Sequence, residues 1–392
     1  MGSRLIRLDE FIAEYPLRGK WKVSYSDGTH LPRKESLEIG EITISASEAL
    51  VRQRPILPFD FRPVPERQIE TRFRKIFENS FLDILKDSVS KDEKSEDEKT
   101  RVGKSEVKRH AKRAKRIVCD QLAECMVRTG LMRPNCWLIE GQEIETDYHS
   151  VLRRLSTHIN LVIVADTGAL RRAAISLLHT TLPNVLIWTV VPVFVMNEVQ
   201  RQLIELDRIW RESGRGNQPH PGKCDILRKR PQVSCISQEL DNIRQWRPLE
   251  ILSTLTEHLG QSNGQSRVDR LIIESMKNLK RDRGLNQEVF LLTGDKDMAS
   301  IAALENQGCL LFEMPSLPSN TSSLRYNPHS SKLVLTPVHS FLWDLALVFG
   351  KISIESKENS QEYELNLYSR EFLVHNVMGI SEIRKDGPDF VE

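Results

Sequence analysis

Long apolar runs are missing from this 392-residue chain. The longest, Val185 to Met196 (VLIWTVVPVFVM), is broken by Pro192 and falls short of the roughly 20 residues that a membrane-spanning helix needs. No membrane association is therefore expected. The first residues, MGSRLIRLDEF, lack the apolar core of a secretory signal, and Ile6 stands where a myristoylation site wants a hydroxyl residue. The expected location is the cytoplasm. Cysteine is scarce: six residues (Cys119, Cys125, Cys136, Cys224, Cys235, Cys309) without CxxC spacing cannot staple a chain of this size, so free thiols are expected. Neither cysteine nor histidine recurs at zinc-site spacing. No GxxxxGK[ST], GxGxxG or GxSxG stands after a strand-like run, so phosphate-loop, dinucleotide and serine-hydrolase chemistry lack their signatures.

What is present changes character along the chain. Residues 1–88 mix strand-like runs (WKVSYSDG, IGEITIS) with a proline cluster and a helical pattern through FRKIFENSFLDIL, and suggest no chemistry. Residues 89–104 (SVSKDEKSEDEKT and its continuation) are polar and aperiodic, which predicts a solvated linker. Residues 105–155 begin with one long helix to about Gly130, basic in its first half and carrying an apolar stripe (Val118, Leu122, Cys125, Met126) in its second. From 156 to 316 buried-strand runs (LVIVA, VLIWTV, VFLL, CLLFEM) alternate with amphipathic helical patterns, which predicts an α/β fold with a central parallel sheet flanked by helices. Residues 317–392 read as a small α+β appendix.

Ligands of open parallel sheets bind beyond the carboxyl ends of the strands, so acids placed there matter most. LVIVA ends at Asp166-Thr167, and VFLL ends at Thr293-Gly294-Asp295-Lys296-Asp297. Two helical patterns supply another acid each: Glu198 in VVPVFVMNEVQRQL, where Pro192 suits the first turn, and Asp269 in SRVDRLIIESM. Taken singly, each has a commoner explanation. Asp166 or Thr167 suits the cap of a helix near Ala169, Asp297 the cap of one at Met298, Ser266 to Asp269 a capping box, and Glu198 a snorkelling surface position. Together they require another reason, because carboxylates about 4 Å apart repel by roughly 4 kcal/mol per pair at an effective dielectric near 20. A divalent cation removes that cost, and oxygen-only ligation points to Mg²⁺ or Mn²⁺, which activate water and stabilise a leaving oxygen in phosphodiester hydrolysis.

In their order, VIVADTGAL, VPVFVMNEV, RVDRLII and LLTGDKD resemble the PIN-domain nucleases: a strand ending in Asp-Thr, a proline-opened helix carrying Glu, a helix starting with Asp, and a strand ending in Thr-x-Asp. The resemblance covers residues 156–316 and implies a PIN-like, metal-dependent endoribonuclease acting mainly on single-stranded RNA. It implies Asp166, Glu198, Asp269 and Asp295 as the catalytic metal-binding quartet, Asp297 as a further acid at the metal, and Thr167 and Thr293 as hydrogen-bonding supports. The alternatives are a structure-specific DNA nuclease and a non-catalytic PIN-like scaffold. Residues 1–155 and 317–392 depart from small toxin members of the family, and an insertion at 211–247 lengthens the interval between Glu198 and Asp269.

Candidate nucleic-acid contacts are Lys296, between the two terminal aspartates, Arg228, Lys229 and Arg230 in the insertion, and the helical run Lys108, Arg109, Lys112, Arg113, Lys115 and Arg116. A charge run is more often a solvated helix face, and the acids from Asp92 to Glu98 could neutralise this one. RNA is the foremost expected partner, with DNA second and a protein partner or self-association open. In a eukaryotic source the basic run would also read as a nuclear import signal.

Overall fold

A computed structural model gives the structure of the chain and describes residues 4–25, 36–45, 49–51, 54–56, 58–88, 96–213, 235–244, 249–252, 265–282, 288–317, 324–326, 338–359, 361–366 and 378–382. The chain begins with β1 (Arg4–Ile6), α1 (Leu8–Glu14), β2 (Gly19–Tyr25), β3 (Leu37–Ile44), β4 (Ala49–Val51), β5 (Arg54–Ile56), β6 (Phe59–Pro63), α2 (Glu66–Ser88) and α3 (Glu96–Arg128). Its middle contains β7 (Asn135–Glu140), β8 (Glu143–Glu145), α4 (Tyr148–Leu155), β9 (Asn160–Ala165), α5 (Thr167–Arg171), α6 (Ala174–Thr181), β10 (Leu186–Pro192) and α7 (Val193–Ser213). There follow α8 (235–244), β11 (Leu249–Leu252), α9 (Gln265–Asp282), β12 (Glu288–Thr293), α10 (Lys296–Leu304) and β13 (Gly308–Glu313). The chain closes with β14 (Leu324–Tyr326), α11 (Val338–Phe349), β15 (Lys351–Ser356), β16 (Glu362–Asn366) and β17 (Met378–Glu382). These elements fall into two compact units, one built from the described residues up to Met126 together with those described from Ser316 onward, the other from those described within Val127–Pro315.

The first unit holds an eight-stranded antiparallel sheet in the order β1-β17-β16-β15-β2-β3-β6-β14. Alternating burial along β15 and β16 is the mark of strands with one face on a core. α11, buried over most of its surface, supplies that core, with Phe341 meeting Phe61 edge to face at 4.9 Å between ring centres. The sequence separates residues 1–88 from an appendix at 317–392. In the structure their strands interleave in one sheet. The expected linker at 89–104 is also revised, because residues 96–104 belong to α3. Their charge pattern lacks an apolar stripe, the signal by which a helix is recognised.

The second unit is α/β. Its seven-stranded sheet has the order β11-β10-β9-β12-β13-β7-β8. The first five strands are parallel, and β7 and β8 extend the sheet antiparallel beyond β13. Buried apolar stretches fill β9, β12 and β13, as expected for parallel strands covered on both faces. The unit thus begins before residue 156, since β7 and β8 belong to its sheet and α4 lies within the same unit. Pro192 closes β10 instead of opening the helix, which starts at Val193. From β9 the chain winds outward through β10 to β11, whereas from β12 it winds the other way to β13. The adjacent carboxyl ends of β9 and β12 therefore flank a switch point, where such sheets open a crevice. Among the described residues no helix is long and apolar enough to cross a membrane.

Candidate functional site

Asp166 follows the last residue of β9, and its amide donates to Leu292 O of β12 at 3.1 Å, which carries the ladder one step beyond the strand. Its side chain is buried and caps α5, accepting from Ala169 N. The other carboxylate oxygen accepts from the hydroxyl of Thr293 at the end of β12. Burial pushes the Asp166 carboxyl upward, opposed by the Thr293 hydroxyl, the Ala169 amide, the Arg172 guanidinium and the Gly294 amide. Thr293 Oγ1 in turn accepts from Asp295 N at 2.9 Å, so one hydroxyl ties both strand-end acids together.

Asp295 is the N-cap of α10 and accepts from Asp297 N at 2.8 Å. The helix accordingly starts at Lys296, with Asp297 in its first turn. α9 starts at Gln265, which leaves Ser266 inside the helix and replaces the capping-box reading of Ser266 to Asp269. The cap explanation holds for Asp166, whereas at α10 the cap is Asp295 and not Asp297 as expected, and neither cap accounts for where the acids stand together. Glu198, half-buried on α7, accepts from Thr167 Oγ1 at 2.6 Å and from Gln202 Nε2, one helical turn on, at 3.0 Å. Half-buried Asp269 carries the clearest electrostatic mark. Burial pushes its carboxyl up to about 6, and Asp295, Asp166, Glu198 and Asp297 add to the shift in that order.

The five acids named from the sequence, from the ends of β9 and β12 and from α7, α9 and α10, therefore share one electrostatic neighbourhood. Among the described residues no three His, Cys, Asp or Glu stand ready as a cation cage. The two observations measure different lengths: charges act on one another over about 10 Å, whereas Mg²⁺ requires its oxygens at about 2.1 Å. The oxygen-only donor set suits Mg²⁺ or Mn²⁺, and the oxygens of Asp166 that already accept one hydrogen bond retain further lone pairs.

Arg172 did not stand out in the sequence. Its Nη1 donates to Phe312 O at 2.8 Å, and its positive charge opposes the upward shift of Asp166. A Cβ on Gly294 would lie 1.4 Å from that Nη1, so the guanidinium occupies the space that the missing side chain leaves. Gln202 was also overlooked, although its position four residues after Glu198 is a readable signal.

The candidate nucleic-acid residues are distributed differently. Lys296 pairs with Glu313 Oε1 at 2.6 Å and stands over the ring of Trp137, 5.8 Å from its centre. Arg228, Lys229 and Arg230 lie outside the described residues, as does most of the insertion. In the first unit α3 exposes Lys108, Arg109, Lys112, Arg113 and Arg116 and buries Val107, Ala111, Ala114 and Val118. Arg116 lies 3.7 Å from Asp120. Lys115 turns away from the exposed basic face to pair with Glu66 at 3.1 Å. Five of the cysteines (Cys119, Cys125, Cys136, Cys235 and Cys309) are free and buried.

Comparison of the chain with protein-family models and with curated proteins returns no match.

Proposed function

We propose that the chain is a PIN-like nuclease that hydrolyses phosphodiester bonds in single-stranded RNA with the help of Mg²⁺ or Mn²⁺. The observation that carries the reading is the gathering of five acids from the ends of β9 and β12 and from α7, α9 and α10, where burial first and then Asp295, Asp166, Glu198 and Asp297 raise the Asp269 carboxyl to about 6. Acids gathered at a sheet's switch point are costly in an apoprotein, and a divalent cation is the simplest compensation. Asp166, Glu198, Asp269 and Asp295 would hold it, with Asp297 beside them.

Such a cation, when bound, supplies an activated water and stabilises the leaving oxygen. The chain's own residues prepare the place for it. Thr293 orients Asp166 and holds the backbone of Asp295, while Thr167 and Gln202 fix the two oxygens of Glu198. Burial first and the neighbouring acids next raise the Asp269 carboxyl to about 6, and a cation held beside it would favour its ionised form. Single-stranded RNA is the substrate this reading favours, because its unpaired bases and flexible backbone are open to a protein surface.

The test is cleavage of matched labelled single-stranded RNA and DNA in Mn²⁺, Mg²⁺ or EDTA, with Asp166→Asn and Asp295→Asn beside the wild type. Metal-dependent RNA cleavage lost in both variants is the expected result. Preferential DNA cleavage would reassign the substrate, and no cleavage in any metal would overturn the nuclease reading in favour of a binding scaffold.

A further inference from the structure

We propose that Trp137 is a stacking platform for an unpaired nucleobase, and that Lys296 is the cation that binds the adjoining phosphate. The inference rests on the nuclease reading of the neighbouring acids and names what the strand meets beside them.

Trp137 belongs to β7, the antiparallel strand that extends the sheet past β13. It is half-buried and packs on the core of the second unit, which fixes the ring on a strand and not on a loop. Lys296 separates Asp295 from Asp297 in the chain, and its Nζ reaches out over this ring at 5.8 Å from the centre. The same Nζ lies 2.6 Å from Glu313, whose strand partner is Asn135, two residues before Trp137. An aromatic face, a cation and the acid cluster are thus joined within the span of one lysine side chain.

The simpler interpretation is a surface ion pair over an indole. The pair is lopsided: Lys296 keeps 67 % of its side chain exposed and Glu313 only 19 %, so the ammonium is the half that solvent and an incoming phosphate can reach. Moving Lys296 onto a phosphate oxygen exchanges one ion pair for another at the cost of removing the cation from the mostly buried Glu313, and a base placed on the ring from which the lysine has swung gains stacking contacts that every base can make. Tryptophan offers the largest such face, and a lysine that swings between carboxylate and phosphate leaves the ring accessible when nucleic acid arrives. The platform selects for unpaired bases, since a base within a duplex already has both faces covered by its neighbours.

The experiment measures binding of a labelled single-stranded RNA, the same sequence as single-stranded DNA, and the corresponding duplex, all in EDTA so that the strands stay intact. Wild type is compared with Trp137→Leu, which retains apolar bulk without a ring, and with Trp137→Phe. Single-strand affinity is expected to fall about tenfold in Trp137→Leu and to recover in large part in Trp137→Phe, with duplex affinity the same in all three. Tryptophan emission quenched on binding in the wild type should be diminished in Trp137→Phe, which decides the matter should the leucine variant fold poorly. Equal single-strand affinity in all three proteins overturns the platform, as does unchanged quenching, an equal loss for duplex and single strands, or a wild type that binds no single strand. Binding with these signatures but no metal-dependent cleavage would remove the nuclease reading and leave the platform standing. Cleavage with unaltered affinity in Trp137→Leu would do the reverse.

Discussion

The hydroxyl of Thr293 donates to the buried carboxylate of Asp166 across two neighbouring parallel strands. Because the same oxygen accepts from Asp295 N, a single atom registers both strand-end acids. Thr293→Val preserves the shape and removes both bonds. It should cost about 1–3 kcal/mol, the usual penalty for stranding buried polar partners, and should lower cleavage further than Thr293→Ser. Denaturant unfolding and cleavage rates of the two variants check this, and a valine variant as stable and active as the wild type would refute the role.

Asp269 gives a pH dependence with a definite sign. Its folded-state value of about 6 lies above the ordinary 3.8, so the folded protein holds a proton that the unfolded chain has released. That contribution to stability is complete below the unfolded value and is lost as pH rises through the folded one. In EDTA, Asp269→Asn should therefore be more stable than the wild type at pH 7.5, with the gap closing toward pH 4. Full conversion of the shift gives roughly 3 kcal/mol, which solvent screening of a half-buried group reduces to about 1–2 kcal/mol. Melting curves at the two pH values measure it. An asparagine variant no more stable than the wild type at pH 7.5 would show that the acids do not burden the apoprotein.

Gly294 and Arg172 should be coupled. A methyl group on residue 294 displaces the guanidinium and with it the bond to Phe312 O. Gly294→Ala is expected to cost about 1–2 kcal/mol in the wild type and close to nothing once Arg172→Ala has emptied the space, a coupling within the usual range for touching residues. A double-mutant cycle by denaturant unfolding reads this directly, and additive effects would contradict the packing.

The exposed basic face of α3 predicts a salt effect. If Lys112 and Arg113 meet phosphates, Lys112→Gln with Arg113→Gln should weaken nucleic-acid binding uniformly across sequences and flatten the slope of log K against log salt by about one per lost contact. An unchanged slope identifies a solvated helix face. Lys115→Gln, whose ammonium is held by Glu66, should leave the slope as it is.

Local chemistry was legible in the sequence. Apolar runs too long to alternate marked β9, β12 and β13 as buried strands, whereas β10, expected to be buried too, leaves Leu186 and Trp188 exposed, and the polar residues that end β9 and β12 identified Asp166 and Asp295. The helices carrying Glu198 and Asp269 were also readable, because helical periodicity and capping depend on residues a few places apart. Where charge suppressed that periodicity, as at 96–104, the helix was missed.

Which strands pair was not legible, because backbone hydrogen bonds are alike for every partner and carry no label in the side chains. Only tertiary structure sets β9 beside β12 and so gathers Asp166, Asp295 and Asp269, and only it merges both ends of the chain into one antiparallel sheet. The same holds for Arg172 against Gly294, and for Lys296 beside Glu313 and Trp137. Sequence by itself determined which acids stand at strand ends and on helices, since that depends on local polarity. The fold decided that they share one field, since that depends on contacts between residues far apart in the chain.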